Sequence, residues 1–440
     1  MARLKIAYIG AGGTRGVGTN AVFVHQAHNF KGSEIVLIDS DPSRLPLIKQ
    51  LADKMAVEQG ADLKFTIAKD LESGLTDCDA VLSSFRPGKF EARHLDESIP
   101  AKYGCIGNET QGAGGYFMAL RSINAIKPIC KAMKKRAKPG AILFNYTNPV
   151  NIVSQAVAEY TDVPVYSFCE GPIVFTKAFC WWHQEFGLDA DKLDAVMIGL
   201  NHGGWSVKHL YDGKDFIPII ADIYEQRRRR GDPEKDLRLL KLAVMMNSLP
   251  AHYYDKYFFT EEMLAELAAK GTTRAEDIIN DTPMYWQHYE EQAKTSAKSQ
   301  LDPSRSRGGI TEFELAIDAI DRVFNDRNVV MPVNMMNKGH LPDFPDDLVV
   351  EIPALVNKEG FTPWPLPLEQ RRMPRQTLGL VKELGEYQYL AAKAAWKGDR
   401  LAGIQALCSN PLVRTLEKAE KMYDEMAHAH RKHLPRRLRK

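Results

Sequence analysis

Short runs of β-branched and aliphatic residues alternate with longer amphipathic stretches from residue 3 to about residue 170. KIAYIG, EIVLIDS, LKFTIAK, DAVLSSF, AILFNYT and VPVYSF read as strands, with helical stretches such as RLPLIKQLADKMAVEQG and SINAIKPICKAMKKRAK between them. This alternation predicts an α/β fold with a Rossmann-type, doubly wound parallel sheet covered by helices on both faces. A further strand, LDAVMIGLNH, follows an aromatic-rich helical segment over 174–186. Beyond about 205 the pattern changes to long polar and aromatic helical segments (219–245, 261–270, 311–324, 376–395, 399–408). NVVMPVNMMNKG and LVVEIPAL suggest a strand pair, and the Pro-rich FTPWPLPL reads as a surface loop. The chain therefore divides into a sheet domain over 1–200 and a second, mixed α+β domain over 201–440.

Composition narrows the function classes. The chain has 440 residues, 58 of them basic and 56 acidic, so no global field draws it to nucleic acid or membrane. The basic runs RRRR (227–230) and RKHLPRRLRK (431–440) read as a solvated helix face and a loose tail. No window approaches eighteen apolar residues, and MARLKIAYIGAGGT reads as a strand entering a turn, not as a signal peptide. Six cysteines without CxxC spacing indicate a reducing compartment, the cytoplasm.

YIGAGGTRGVGTN follows the first strand and precedes a helical run, the place where glycines let a backbone approach a pyrophosphate. The strict G-x-G-x-x-G spacing fails, because Gly10 and Gly12 fit but Arg15 holds the third place among Gly13, Gly16 and Gly18. Asp39 closes the second strand, where an acid accepts hydrogen bonds from an adenosine ribose and repels a 2′-phosphate, favouring NAD over NADP. The competing reading is a glycine-rich turn with Asp39 as a helix cap.

Candidate chemistry gathers at strand ends. Cys169 ends VPVYSF and His202 ends VMIGLNH. At the carboxyl edge of a parallel sheet the two would meet as thiolate and imidazole on a divalent transition ion. A buried thiol and a hydrogen-bonded histidine are the alternative. NYTNP (145–149) adds amides and hydroxyls at the same edge, with Asn148 held extended by Pro149.

Taken together, IGAGGT, FEARHLDESIPAKYGCIGNETQGAGGYFMALRSI, NYTNPV, FCEGP and GLNHGGW resemble glycoside hydrolase family 4 in order and spacing, as do the later RGGITEFELAIDAI and GHLPDFPDDLVVEIPALV. That family joins a fold like lactate and malate dehydrogenases to an NAD- and Mn2+-dependent glycosidase activity, an exception to two-carboxylate hydrolysis. The resemblance implies transient oxidation of the sugar at C3, deprotonation at C2, elimination of the C1 leaving group, addition of water and reduction back at C3. It makes 1–200 an NAD-binding domain, with Gly10, Gly12, Gly13, Thr14, Asp39, Asn145 and Asn148 at the cofactor. The remainder, 201–440, becomes a substrate-binding and oligomerisation domain.

By position, the resemblance further implies Cys169 and His202 as metal ligands. It places Arg93, Glu109, Thr110, Asn148 and Arg307 at the substrate, Tyr253 as base with Tyr257 in reserve, and Glu170 as general acid for α-glycosides. Lys256 is a candidate to lower the tyrosine's pKa. Arg86, Arg93 and Arg307 suit an anionic C6 group: a 6-sulfo sugar such as a sulfoquinovoside, a uronide, or a 6-phospho sugar. Differences from the commonest phosphoglycosidase motifs favour the first two. A homodimer or homotetramer is implied as well. The rivals are a simple NAD-dependent sugar or hydroxy-acid dehydrogenase and a non-enzymatic NAD-binding sensor.

Overall fold

The computed structural model describes residues 1–307 and 314–439. Its first six strands are β1 (Lys5–Ile9), β2 (Ser33–Ile38), β3 (Leu63–Ile67), β4 (Ala80–Ser83), β5 (Ile142–Asn145) and β6 (Val165–Ser167). They lie in the order β3-β2-β1-β4-β5-β6, every neighbour parallel, as the alternating pattern predicts. The period of two along β1 explains the two covering layers. Ile6 and Tyr8 face a core with the helices Gly16–His25, Leu45–Gln59 and Glu314–Phe324, while Ala7 and Ile9 face one with Gly112–Arg136, Val150–Tyr160 and Arg375–Lys397. Burial on both faces is why these strands read as nearly unbroken apolar runs.

The later strands are β7 (Leu193–Leu200), β8 (Gly203–Tyr211), β9 (Lys214–Asp215), β10 (Val329–Met336), β11 (Val349–Asn357) and β12 (Gly360–Pro363). The strand pair read from NVVMPVNMMNKG and LVVEIPAL is the antiparallel β10 and β11. It continues the same sheet: Asn334 of β10 bridges Ser167 of β6, and Glu351 of β11 bridges Gly199 of β7. The expected boundary at 200 falls in the turn between β7 and β8, and β7 lies among the antiparallel strands.

Some local readings need correction. The segment 219–245 is two helices, Ile217–Arg230 and Glu234–Met246, because Gly231 takes a left-handed conformation. FTPWPLPL begins in β12 and only then becomes loop. The C-terminal run is not loose through Arg439, since Leu434 and Leu438 are buried in the core with Tyr423 and Met426. Residues 308–313 of the RGGITEF stretch, and the start of the helix read over 311–324, lie outside the described residues. Among the described residues no helix is long and apolar enough to cross a membrane.

Candidate active site

The glycine loop leaves β1 through Gly10 at φ +93°, where an added Cβ would stand 2.2 Å from the Ser84 carbonyl oxygen. Only glycine fits. The N–H of Gly12 donates to Asp39 Oδ2 at 2.8 Å, and a Cβ at Gly12 would meet the same carboxylate. Gly13 continues the turn, its N–H donating to the Gly10 carbonyl, and Thr14 is buried with its carbonyl accepting from Tyr289 Oη at 2.9 Å. The missing third glycine has a local answer: a Cβ at Gly16, one place later, would lie 2.1 Å from the Ala11 carbonyl oxygen. Gly16 thus permits the close helix packing expected of the third glycine. Bare backbone at a helix start, beside an acid ending β2, fits a dinucleotide.

Asn145 is fully buried where β4, β5 and β6 end. Its Oδ1 accepts from Ser83 Oγ (2.8 Å) and the Thr147 N–H (3.0 Å), and its Nδ2 donates to Ser167 Oγ (3.0 Å) and the Thr147 carbonyl (3.3 Å). Its amide braces three strand ends. Asn148 forms a cis peptide with Pro149, and its carbonyl accepts from Ser122 Oγ.

Cys169 Sγ lies 3.5 Å from His202 Nε2. The meeting does not come from a shared parallel edge as expected, because β7 pairs antiparallel with β11. His202 instead sits in the two-residue turn between β7 and β8, at φ +60°, a conformation that costs a histidine energy. Two donors on one transition ion, at about 2.3 Å from sulfur and 2.1 Å from nitrogen, stand roughly 3.1–3.6 Å apart. The observed pair fits that span. His202 Nδ1 lies 3.1 Å from Thr110 Oγ1; with the proton on Nδ1, Nε2 presents its lone pair to an ion. Burial lowers the His202 pKa to about 3, so the ring is neutral. Burial, then the charges of Glu351 and Glu170, push the Cys169 thiol far up, and a bound cation reverses that logic. No cluster of three or more His, Cys, Asp or Glu forms among the described residues.

The GNETQ segment ties this pair to a cationic pocket. Glu109 pairs with Arg86 and, at 3.0 Å, with Arg93. Burial alone would raise the Glu109 carboxyl, but Arg86, Arg93 and Arg307 hold it at about 2. Arg93 also grips Glu97 at 2.6 Å, and Arg307 rests on the Phe90 ring at 4.3 Å. Arg15 acts electrostatically on both Arg86 and Arg307. Sequence reasoning missed Arg15 as a site residue, although its place in the glycine motif was the signal. Thr110, next along, bonds His202 and lies near enough to Tyr253 to lower its phenol. Gln111 accepts from Tyr257.

The two tyrosines therefore separate. The Tyr253 ring stacks on His202 with centroids 4.0 Å apart and planes at 13°, whereas the Tyr257 hydroxyl is committed to Gln111. Burial, Cys169 and Glu109 raise the Tyr253 phenol, while Thr110 and Arg93 draw it back. Lys256 does not take the role expected of it: its ammonium lies 5.0 Å from the Tyr253 ring centroid and pairs with Asp255 at 3.0 Å. Tyr254 is core, its hydroxyl donating to the Gly203 carbonyl. Glu170 accepts a hydrogen bond from Tyr146 Oη at the mouth of the helix Gly171–Trp181. Glu351 was also missed. It is buried beneath the pair, accepts from Asn201 Nδ2 (3.0 Å) and Asn334 Nδ2 (2.8 Å), and burial raises it to about 7.

Comparison with known proteins matches residues 5–181 to the family 4 glycosyl hydrolases and 197–413 to the C-terminal domain of the same family. A probable 6-phospho-beta-glucosidase of Bacillus subtilis is 30% identical, with 98% of this chain and 97% of that protein covered. The solved 6-phospho-alpha-glucosidase from gut microorganisms, in complex with NAD and Mn2+, superposes with a TM-score of 0.84 at 22% identity, covering 99% of each chain. The 6-phospho-beta-glucosidase of Thermotoga maritima, solved with manganese, NAD+ and glucose-6-phosphate, gives 0.80 at 22% identity, covering 98% of this chain and 99% of that one.

Proposed function

Because the chain belongs to the family 4 glycosyl hydrolases, we propose that it hydrolyses glycosides of a 6-phosphorylated hexose with the help of NAD and a divalent ion, Mn2+ foremost. The observation that carries this reading is the GNETQ segment: its Glu109 pairs with Arg86 and Arg93, with Arg307 and Arg15 near enough to act on that cluster electrostatically, and its Thr110 bonds His202. Four guanidiniums against the carboxylates of Glu97 and Glu109 leave two positive charges, which match a phosphate dianion. A sulfonate or uronate carries one charge and leaves the pocket unbalanced. The names of the relatives favour the same choice.

Bound NAD supplies a hydride acceptor for C3, and an ion on Cys169 and His202 supplies a Lewis acid for the oxygens at C2 and C3. The chain's own residues do the rest. Arg15, Arg86, Arg93 and Arg307 seat the phosphate, and Glu109 holds Arg86 and Arg93 together against their mutual repulsion until it arrives. Tyr253 Oη takes the C2 proton, and Arg93 and Thr110 stabilise the phenolate that forms. Thr110 keeps the His202 lone pair aimed at the ion. Glu170 gives a proton to the departing glycosidic oxygen. On that residue rests the assignment to α-glycosides with retained configuration, for the named relatives include both anomers.

The division into a cofactor half and a substrate half, assembly as a homodimer or homotetramer and residence in the cytoplasm belong to the same proposal. Exposed Trp181, Trp182 and Trp364 support a self-association face. The test is a panel of α- and β-linked aryl and alkyl glycosides bearing 6-phosphate, 6-sulfonate, 6-carboxylate or 6-hydroxyl, assayed with NAD and Mn2+. Preference for the 6-phosphate without net NADH is the expected result. Equal turnover of the 6-hydroxyl compound sinks the substrate assignment, and stoichiometric NADH makes the protein a dehydrogenase.

A further inference from the structure

Four residues form a row across the sheet: Ser167 of β6, Asn334 of β10, Glu351 of β11 and Gly199 of β7, each paired with the next. Cys169 follows Ser167 by two residues, and His202 follows Gly199 by three. The outer junctions of the row are single residue pairs, whereas β10 and β11 pair along their whole length. The ladder therefore does little to fix the end of β6 against the end of β7.

Side chains supply what the ladder lacks. Glu351 Oε1 accepts from Asn334 Nδ2 at 2.8 Å and from Asn201 Nδ2 at 3.0 Å. The Asn334 amide also donates to the Ser167 carbonyl at 3.3 Å, and Asn201 directly precedes His202 in the chain. One carboxyl thus holds the approach to Cys169 on one side and the His202 turn on the other. Glu351 is itself buried, so its carboxyl depends on these two amides to offset the loss of water.

We propose that Glu351 is the positioning residue that sets the separation of Cys169 Sγ and His202 Nε2, and with it the site's affinity for a divalent ion. The proposal rests on the reading of that pair as a metal grip. Without the acceptor, two buried amides lose their common partner and the strand ends are free to part.

The test is titration of the reduced full chain with Mn2+, followed by electron paramagnetic resonance, with circular dichroism as the control for folding. Glu351→Leu should raise the Mn2+ Kd about 10–100-fold, the range for loss of an outer partner of a ligand. Glu351→Gln keeps an oxygen acceptor and should restore binding close to that of the unaltered chain, a rescue that a general packing role does not predict. Asn334→Ala removes one arm and should weaken binding about tenfold. Unchanged affinity in folded Glu351→Leu overturns the proposal, as does unchanged affinity in folded Asn334→Ala should Glu351→Leu fail to fold. Cys169→Ser separates the two layers of inference: if it binds Mn2+ as the unaltered chain does, the metal grip itself falls, and this proposal with it.

Discussion

Half-buried Glu109 precedes Thr110 in the chain and buried His202 bonds it, and loss of water disfavours the charged form of each. They end in opposite states. Glu109 keeps its charge, at about 2, because guanidiniums crowd it; His202 loses its charge, at about 3, because nothing around it outweighs burial. The arginine end of the site is thus charged in advance, with guanidiniums that under the proposed function exchange a glutamate partner for a substrate one. At the other end the imidazole is already in the neutral form that binds a metal, and thiol and phenol stay neutral until a cation arrives. Preorganisation means full charge in the first place and suspended charge in the second.

The largest effect should come from breaking the suspended end. Cys169→Ser or His202→Ala should lower Mn2+-dependent turnover about 10⁴-fold, since a Lewis acid contributes several kcal/mol to such a barrier. Steady-state rates with and without chelator measure it, and a folded variant that keeps metal-dependent turnover breaks the comparison. Tyr253→Phe should cost about 10³-fold in kcat, within the range for a lost general base. It should also suppress deuterium incorporation at C2 of product formed in D2O. Tyr257→Phe should leave that exchange in place.

A smaller effect tests the charged end through stability. Glu109 titrates from the ordinary 4.5 down to about 2 on folding. A depressed carboxylate contributes stability above its unfolded pKa and loses it as pH falls through the folded one, so Glu109 should account for up to about 3 kcal/mol lost between pH 4.5 and 2. Denaturant unfolding of Glu109→Gln should therefore show a flatter decline across that window. An unchanged slope means that the arginines are not held as described.

How much of this was legible in the sequence depended on the range of the interaction. The strands β1 to β6 and their parallel arrangement follow from the alternating pattern, because each pattern is local and both faces are buried; their order in the sheet is a tertiary fact. That β10 joins β6 through one bridge at Asn334 is a tertiary fact, and no local pattern carries it. The same holds in the site. Cys169 and His202 stood out as reactive types at strand ends, though the reason they meet is an antiparallel hairpin and not a shared edge. Glu351 was hidden inside an apolar strand, where the sequence shows one acid but not its two amide partners. Arg15 was visible only as a failed glycine. The choice between Tyr253 and Tyr257 needed the ring stack on His202.

The smallest effect concerns the arginines one by one. Arg93 is bound by two carboxylates, which outweigh burial and raise its already high pKa. Arg307 is placed otherwise: it rests on Phe90, and burial together with Arg15 and Arg86 lowers it to about 9. The field that strains Arg307 before substrate binds is the field a phosphate relieves, so Arg307 should contribute more to binding than to folding. Arg307→Ala should raise KM for a 6-phosphoglycoside about 10–100-fold, the value of one charge-assisted contact of roughly 1.5–3 kcal/mol, and leave KM for a 6-hydroxyl analogue unchanged. Its thermal midpoint should hold or rise, because a cation is removed from among cations. Arg93→Ala should lower the midpoint instead, since it leaves buried Glu97 and half-buried Glu109 with less compensation. If the two variants move stability in the same direction, the charged end is a uniform cluster and the distinction between its arginines fails.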